Sequence, residues 1–519
     1  MIAMTNQIFK LAGVVFTCAV IAACSADVEN PPPLNSGEAS AGDADFTTFV
    51  AIGDSLTAGY KDGTLYLQGQ LTSMPSILAE QFADVGGGTF TQPLVADPTD
   101  PNAIPGGNLG GLLNNGVEMD FGTGVNQFDT RFVLNTETQA PERIADPIVT
   151  DVVNVQAGPY NNMGVPGAKS FHLAATLYGD DSEIGSIANP WYVRMASATN
   201  ASVLGDAVAQ TPSFVTVWVG GNDVLLYAAS GGWDDYLDVA ASTSGFGSFD
   251  ITELSSFASF YSNIIDQLTL NNAALQGVLI NIPEITSIPY FTVVPYNAVP
   301  MTADEAAQAN AGFSAYNDGL DAVVGLVPNF TQEEADRRKI SFAEGQNPLV
   351  IMDKDLTDLT VANAQLISMR QATQADLIMF DTAAKLGTEA VPNDPTTFWG
   401  VGAPLLDQDV LIPSEREAVE AATAAYNQTI ADIAAAEPNF VLYDAATALA
   451  ELKESGINYG NGSVTADYAS GGFFSLDGIH PTSRGYAIIA NQIIDVINTG
   501  FKANVYKVDA ANYPTVLLK

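Results

Sequence analysis

Basic residues are scarce in this chain of 519 residues. Only 18 residues are Lys or Arg, whereas 59 are Asp or Glu, and the formal net charge is −41. Such a charge repels phosphate backbones and anionic membrane surfaces, so it excludes nucleic-acid binding as a function. The chain is nevertheless 47% hydrophobic and only 15% charged, which is typical of a sequence that folds around apolar cores.

Cysteine is rarer still, and both copies lie near the N-terminus. Cys18 falls within an apolar run, 11–23, that follows Lys10 and is too short to span a bilayer comfortably. Small residues then precede Cys24. This order predicts a lipoprotein signal peptide over residues 1–23, with Cys24 as the lipidated first residue of the mature protein. The alternative is an ordinary secretory signal with an incidental cysteine.

Cleavage after residue 23 leaves a single cysteine, which excludes disulfides and cysteine-based metal sites. Residues 24–46 contain three consecutive prolines and a stretch of Gly, Ala, Ser and Asp, so they predict a flexible tether. Ser25, directly after the cysteine, favours onward transport to an outer membrane. We therefore expect a protein of the cell envelope, held at the outer membrane or cell surface by an N-terminal lipid anchor.

The length exceeds what one compact core usually supports, so one elaborated domain or two domains are expected. Short apolar runs without polar alternation are typical of strands buried on both faces. Such runs are found at 47–53, 213–220, 277–283 and 439–444. Helical patterns occur at 254–271, 302–327, 413–436 and 481–498. Strands that alternate with helices predict an α/β fold with a parallel sheet covered on both faces.

Two stretches, 61–150 and 284–412, interrupt this alternation, and we expect them to be insertions on the substrate side. An Ala-Tyr-Asn triplet recurs at 315–317 and 425–427, which indicates two similar helices. The Asp-rich loops 97–100 and 353–355 could hold Ca²⁺. Neither fits the twelve-residue EF-hand loop, so solvated acidic loops are favoured.

The first apolar run ends in the sequence Gly53, Asp54, Ser55, Leu56. A serine at the carboxyl end of a strand is presented where open α/β sheets bind ligands, which makes Ser55 a candidate nucleophile. The same tetrapeptide is also compatible with a turn that only caps the next helix. A nucleophilic serine needs a general base, normally histidine, and the chain contains only two histidines.

His480 is the better candidate base. Asp477 precedes it by three residues, so the carboxylate can fold back onto the imidazole Nδ1 and leave Nε2 free to take the serine proton. The alternative is a surface loop with a capping Asp and a chance His. His172 stands at the start of a predicted helix without a nearby carboxylate, and a structural role is favoured for it.

Two glycine-rich turns could supply donors for the oxyanion of a tetrahedral intermediate. The run that ends at Gly220 continues into Gly221, Asn222 and Asp223, and the Asn222 side-chain amide can point at developing negative charge. A second turn, 161–167, precedes a predicted helix, where backbone N–H groups are free. Each turn alone would be an ordinary loop in most proteins.

Together these motifs resemble, in their order along the chain, the blocks of the SGNH (GDSL-type) hydrolases. The first block is similar to 53–56, the second to the turn at Gly167, the third to 220–223 and the fifth to 477–481. The resemblance covers about 47–60, 160–178, 213–230, 276–290 and 414–498. Family domains are usually much shorter, so the two insertions are departures that bear on the substrate.

The resemblance implies a role for each matching residue. Ser55 would be the nucleophile, His480 the general base and acid, and Asp477 its orienting partner. The oxyanion hole would consist of the Ser55 and Gly167 N–H groups and the Asn222 side chain. We choose Gly167 over Gly164 because family members place the donor glycine just before the helix.

For the whole chain, the resemblance implies a three-layer α/β/α sandwich with a small parallel sheet, flavodoxin-like, that spans 47–510. It further implies an esterase or lipase without metal or organic cofactor, acting on a small-molecule, lipid or glycan ester. A carbohydrate acetyl esterase is one alternative. A non-catalytic surface lipoprotein that binds glycans or partners through the same scaffold is the other.

Aromatic residues near these motifs are candidates for a substrate pocket. One set flanks the third block and is equally compatible with core packing; the other lies in the second insertion and would suit an acyl or aromatic ester. The first set is Trp191, Tyr192, Trp233 and Tyr236, and the second is Phe291, Tyr296, Phe398 and Trp399.

Overall fold

The structure is a computed structural model that describes residues 35–95, 110–119, 128–145, 148, 150–232, 247, 249–270 and 272–519. The predicted signal peptide, Cys24 and the first part of the predicted tether lie outside these residues, as do loop 97–100, Trp233 and Tyr236. Among the helices described, none is both long and apolar enough to cross a membrane.

A parallel sheet forms the centre of the described chain. Its strands are β1 (Phe49–Gly53), β2 (Asn162–Gly164), β3 (Phe214–Trp218), β4 (Gln276–Ile280) and β5 (Phe440–Tyr443). Their spatial order is β5-β4-β3-β1-β2, and every neighbouring pair is parallel. This is the doubly wound order 2-1-3-4-5 read from the other edge, in which ligands bind beyond the carboxyl ends of the strands.

The central strands are apolar on both faces because both faces are covered. Every residue of β1 and β3 is buried, as expected for parallel strands between two helical layers. The sequence predicted four of the five strands and missed β2. This strand has only three residues, Asn-Met-Gly, and lies within the glycine-rich turn that the sequence predicts over 161–167.

One or more α-helices separate each pair of successive sheet strands along the chain, and two follow the last strand. Their bounds are α1 (Ser55–Ala58), α2 (Leu67–Leu71), α3 (Met74–Ala83), α4 (Pro190–Val193), α5 (Val203–Val208), α6 (Asn222–Ala229), α7 (Leu254–Leu270), α8 (Pro289–Thr292), α9 (Ala303–Val323), α10 (Gln332–Arg338), α11 (Pro413–Ala436), α12 (Ala445–Ser455) and α13 (Ser483–Gly500). The predicted helix 413–436 is reproduced at both ends. Thr302 begins α9 with a capping box, because its hydroxyl accepts from the Glu305 N–H while the Glu305 carboxylate accepts from the Thr302 N–H.

Aromatic packing joins one helical layer to the sheet. Phe82 of α3 stacks on Phe46 with ring centroids 4.0 Å apart, and Phe214 of β3 meets both rings. Phe501, after α13, packs edge-on against Phe214. On the other layer, Tyr426 of α11 stacks on Phe257 of α7 at 4.0 Å. The predicted α/β fold class, with helices on both faces of a small parallel sheet, is confirmed.

The chain divides into two compact units. The described residues of one unit fall within Cys24–Val224, Ile251–Pro289 and Ala421–Lys519; this unit holds the sheet and the described part of the predicted insertion 61–150. The other includes Leu225–Asp250 and Tyr290–Glu420, which overlaps most of the predicted insertion 284–412. This second unit has apolar cores of its own, one around Phe313, Leu320 and Phe342 and another around Leu349 and Ile351.

The remaining strands described form short antiparallel pairs. Those in the sheet unit are Leu113–Asn114 with Val117–Glu118, Phe132–Asn135 with Ala140–Arg143, and Ile457–Asn458 with Ser463–Val464. Those in the second unit are Val299–Met301 with Gly345–Asn347, Val350–Met352 with Met369–Gln371, and Leu377–Ile378 with Val410–Leu411.

Candidate active site

Ser55 begins α1 at the carboxyl end of β1. Asp54 is the N-cap, and its Oδ1 accepts a hydrogen bond from the Leu56 N–H at 3.0 Å. Gly53 lets the strand end approach β3, since a Cβ there would lie 2.2 Å from the Trp218 carbonyl oxygen. Asp54 therefore does cap the following helix, as the tetrapeptide allows. The same turn places Ser55 at the carboxyl edge of the sheet.

His480 lies between Ser55 and Asp477. Its Nε2 is 2.8 Å from the Ser55 Oγ, and its Nδ1 is 2.9 Å from the Asp477 Oδ2. All three residues are buried, and the Tyr60 ring packs against the imidazole with centroids 4.7 Å apart. With Nδ1 donating to the carboxylate, Nε2 is an acceptor for the serine hydroxyl proton.

The Asp477 carboxylate is held in its ionised form. Burial alone would raise its pKa, but the charge of His480 and hydrogen bonds from the His480 side chain, the His480 N–H and the Ile479 N–H lower the pKa to about 2. The chain folds back within three residues because Gly478 adopts a left-handed φ of +72°. A carboxylate in this state can fix one imidazole tautomer and stabilise an imidazolium.

A tight turn at 165–168 places Gly167 beside this site. The Val165 N–H donates to the Gly53 carbonyl at 3.0 Å, and the Ala168 N–H closes the turn onto the Val165 carbonyl at 3.1 Å. Pro166 followed by Gly167 with φ +80° is the residue pattern of a type II turn. Within the described part of the chain, the Gly167 N–H donates to no acceptor.

Gly164, the other candidate donor, is engaged differently. Its N–H donates to the Asn162 Oδ1 at 3.0 Å, so it is not free for a substrate oxygen. A Cβ at Gly164 would lie 2.3 Å from the Ala58 N, so glycine is required there for β2 to contact α1. The Asn162 amide also donates to the Thr57 carbonyl, which fixes α1 to β2.

Asn222 begins α6 and contacts the same turn. Its Nδ2 donates to the Ala168 carbonyl at 3.0 Å and leaves the second N–H of the amide for another acceptor. The next residue, Asp223, is fully buried and accepts from the Ser170 N–H at 2.8 Å and the Ser170 Oγ at 2.7 Å. Asp223 thus ties α6 to the segment after the Gly167 turn.

Burial raises the pKa of Asp54 to about 7, and burial likewise raises the pKa of Asp223. The two carboxyl groups lie close enough for each ionised form to disfavour the other electrostatically. Asp54 is therefore largely neutral below pH 7, whereas Asp477, whose pKa is lowered to about 2, stays ionised.

His172 occupies a separate environment. Its ring stacks on Tyr178 at 4.6 Å, and its Nδ1 accepts a hydrogen bond from the Lys169 N–H at 3.1 Å. Burial, with the charge of Lys169, lowers the pKa of His172 to about 3, so the imidazole is neutral. These contacts are structural ones, and the carboxylate that a catalytic base needs is bonded to His480 instead.

The remaining sequence candidates are engaged in ion pairs, hydrogen bonds and core packing. Asp353 pairs with Arg370 at 2.5 Å, and Asp355 accepts from the Ser414 hydroxyl. In the described ranges, no group of three His, Cys, Asp or Glu side chains is arranged to hold a metal ion. Trp191 and Tyr192 are core residues of the sheet unit.

The aromatic candidates of the second insertion also have packing roles. Phe291 is buried, whereas Tyr296 and Trp399 pack partly exposed against the core of the second unit around Leu349. Phe398 is half-buried. The expectation that this set lines a substrate pocket is therefore weakened for Phe291, Tyr296 and Trp399, since apolar packing within their own unit accounts for them.

Two contributors to the site were not assigned a role from the sequence. Ser475 donates from Oγ to the Asp477 Oδ1 at 3.0 Å, and the Gly63 N–H donates to the Asp477 Oδ2 at 3.0 Å. Ser475 lies two residues before the motif 477–481, and this proximity is a signal from which a role at the site could be predicted. Gly63 lies in the predicted insertion, and an Asp-Gly pair by itself indicates only a turn.

The sequence profile of the GDSL-like lipase/acylhydrolase family matches residues 49–358, more than half of the chain. The chain belongs to this family. The match includes Ser55, Gly167 and Asn222 and ends before Asp477 and His480. No curated protein and no solved structure matches the chain. Membership makes this protein a hydrolase of the ester type in general terms.

Proposed function

We propose that this GDSL-family protein hydrolyses carboxylic esters through an acyl-enzyme on Ser55. The observation that carries the proposal is the continuous chain of contacts from the Ser55 Oγ through the His480 imidazole to the Asp477 carboxylate, at 2.8 and 2.9 Å. A nucleophile, a base within hydrogen-bond reach and a group that orients the base are the three parts that covalent acyl transfer needs.

In the first step, the Ser55 Oγ bonds to the ester carbonyl carbon while its proton passes to the His480 Nε2. Collapse of the tetrahedral intermediate breaks the bond to the leaving alkoxide, which takes the proton from His480. A water then gives a proton to His480 and attacks the acyl-enzyme carbonyl. When the acid leaves, the Ser55 oxygen recovers its proton from the same nitrogen. The low pKa of Asp477 keeps its charge opposite the transient imidazolium.

The oxyanion of each intermediate would be stabilised by three donors. The Ser55 and Gly167 N–H groups have no acceptor within the described residues, and the Asn222 amide keeps one N–H beyond its bond to Ala168. The occupied N–H of Gly164 supports the choice of Gly167 over that residue. Donors fixed before reaction stabilise developing charge without reorganisation.

The rival proposal is a non-catalytic surface protein that uses this scaffold for binding. The buried Ser55–His480–Asp477 arrangement argues against it, because a binding module needs no base aligned on a buried serine. Turnover of short-chain p-nitrophenyl esters by the wild type and by Ser55→Ala distinguishes the two. Equal rates in both proteins, after subtraction of spontaneous hydrolysis, would remove the esterase proposal.

For the substrate, we propose neutral carboxylic esters of short to medium chain, with polysaccharide acetyl esters as the second candidate. The net charge of −41 disfavours anionic substrates through long-range repulsion that salt weakens. A chain-length series of neutral esters, acetylated xylan and an anionic phospholipid should each be assayed at low and high salt. Preference for the phospholipid at low salt would overturn this choice.

We also propose that Cys24 carries a lipid anchor and that the protein resides in the cell envelope. The support is the sequence alone: one positive charge, a short apolar run and small residues before Cys24. Metabolic labelling with an alkyne fatty acid should mark the wild type and Cys18→Ser, but not Cys24→Ser. Label that persists in Cys24→Ser would contradict the anchor.

A further inference from the structure

Shortly after α1, the helix that begins at Ser55, the chain forms a tight turn against the loop that contains Ser475, Asp477 and His480. Lys61 and Thr64 exchange backbone hydrogen bonds at 3.3 and 3.2 Å, with Asp62 and Gly63 between them. Both central residues have positive φ, +52° and +78°, which is the geometry of a type I′ turn and is the reason for an Asp-Gly pair there. This segment is called the 61–64 turn below.

Two N–H groups of the 61–64 turn donate hydrogen bonds to the loop that contains Asp477 and His480. The Gly63 N–H donates to the Asp477 Oδ2, and the Asp62 N–H donates to the Ser475 Oγ, both at 3.0 Å. The Ser475 hydroxyl, having accepted that bond, donates its own proton to the Asp477 Oδ1 at 3.0 Å. The carboxylate therefore receives one donor on each oxygen from this arrangement, in addition to the donors within its own loop.

The Asp62 side chain supports the same loop from a second direction. Its Oδ1 accepts from the Leu476 N–H at 3.1 Å, and its Oδ2 accepts from the Tyr66 hydroxyl at 2.6 Å. Asp62, Tyr66 and Ser475 are all buried, with exposures of 2%, 0% and 0%. Buried polar groups that satisfy each other completely fix one geometry, because any displacement leaves a donor or acceptor unpaired.

We propose that Ser475 and Asp62 are positioning residues for the reaction: through the 61–64 turn they hold the Asp477 carboxylate in the orientation that aligns His480 on Ser55. This inference rests on the proposed function. Only Gly59 and Tyr60 separate α1 from the 61–64 turn, so a segment close to Ser55 holds the orienting carboxylate and the serine and the imidazole keep a fixed relation.

The main test removes one hydroxyl and measures kcat and KM separately. Loss of a hydrogen bond to a charged group costs a factor on the order of tenfold to hundredfold, so we expect Ser475→Ala to lower kcat for a neutral p-nitrophenyl ester by that factor. KM should stay within about twofold, because no substrate contact is lost. Ser470→Ala is the matched control, since that serine is exposed and bonds only within its own loop.

Two Asp62 variants keep the inference testable if Ser475→Ala folds poorly. Asp62→Asn retains an oxygen for the Leu476 N–H and a polar group for the Tyr66 hydroxyl, so its kcat should stay near the wild-type value. Asp62→Ala removes both contacts and should lower kcat at unchanged KM. Equal losses in the two variants, or a loss in KM alone, would overturn the positioning role.

A spectroscopic measurement separates this inference from the proposed function. The proton on the His480 Nδ1 should give a downfield ¹H resonance, and His172 cannot contribute it because its Nδ1 is an acceptor. We expect the resonance to shift or broaden in Ser475→Ala and to be unchanged in Ser470→Ala. An unchanged resonance and an unchanged kcat in Ser475→Ala would refute the positioning role while leaving the esterase intact, whereas an inactive wild type with a normal resonance would refute the esterase instead.

Discussion

The Ser55 Oγ lies 2.8 Å from the His480 Nε2, although 425 positions separate the two residues in the sequence. The fold brings them together because Ser55 follows β1 and His480 precedes α13, and both ends meet at the carboxyl edge of the sheet. The 61–64 turn, which begins three residues after the end of α1, donates hydrogen bonds to Ser475 and Asp477 and so closes this arrangement.

Asp477→Asn should keep the fold and lose most of the activity. An amide can donate to Nδ1, which favours the wrong imidazole tautomer and removes the charge opposite the imidazolium, so kcat should fall by about three to four orders of magnitude. His172→Ala should cost far less, since the His172 ring accepts from the Lys169 N–H and stacks on Tyr178, away from the Ser55 hydroxyl that His480 contacts. Steady-state kinetics at saturating ester test both variants. Equal losses would show that His480 is not the base.

Gly167→Ala should lower kcat in addition to lowering the free energy of unfolding. A Cβ at φ +80° is strained by roughly 1–2 kcal/mol, and relief of the strain moves the free N–H away from the oxyanion. Gly460→Ala is the matched control, because its φ is +90° with no neighbouring atom within 4 Å. Both variants should unfold at lower denaturant concentration, but only Gly167→Ala should lose kcat. Loss of activity in neither variant would remove Gly167 from the oxyanion hole.

Gly312→Ala should stabilise the protein. Gly312 lies inside α9, its Cβ would meet no atom within 4 Å, and its φ is not positive. Alanine loses less conformational entropy than glycine on folding, so the free energy of unfolding should rise by about 0.5–1 kcal/mol. Urea denaturation followed by circular dichroism measures the change, and ester turnover should not alter. A decrease in stability would mean that the α9 surface is covered in solution.

His172→Gln should make the protein less sensitive to acid. The folded pKa of His172 is about 3, below its ordinary value of 6.5, so the unfolded state gains a proton first as the pH falls. His172 thus contributes stability that is fully present above pH 6.5 and is lost progressively between pH 6.5 and 3. Denaturation midpoints at pH 7.5 and 5.0 should differ less in the variant than in the wild type. An identical pH dependence would show that folding does not lower the pKa of His172.

Much of the sheet and the three proposed catalytic side chains followed from local sequence. Apolar runs such as 213–220 mark strands that are buried on both faces, and the Asp477 to His480 spacing marks a loop that can fold onto itself. Both signals are short-range. The Ala-Tyr-Asn triplets also proved informative: Asn317 and Asn427 each bind the backbone N–H and carbonyl of one isoleucine, Ile340 and Ile282 respectively.

What the sequence did not predict depends on contacts between distant segments. Strand β2 is too short and too polar to give a periodic signal, and it is a strand only because β1 pairs with it. The Asp62-Gly63 pair predicts a turn anywhere on a protein surface, whereas its bonds to Ser475 and Asp477 span more than 400 positions. For the aromatic residues of the second insertion, sequence alone does not distinguish a pocket from a core; in the structure, Tyr296 and Trp399 pack against a core of their own unit.

The most direct test of the central claim is covalent labelling by a fluorophosphonate, followed by mass spectrometry of the peptide that contains Ser55. The account predicts a single adduct on Ser55 in the wild type, no adduct in Ser55→Ala, and much slower labelling in His480→Gln, since the aligned imidazole activates the hydroxyl. Absence of any adduct in the folded wild type, or an adduct on another serine that persists in Ser55→Ala, would contradict it.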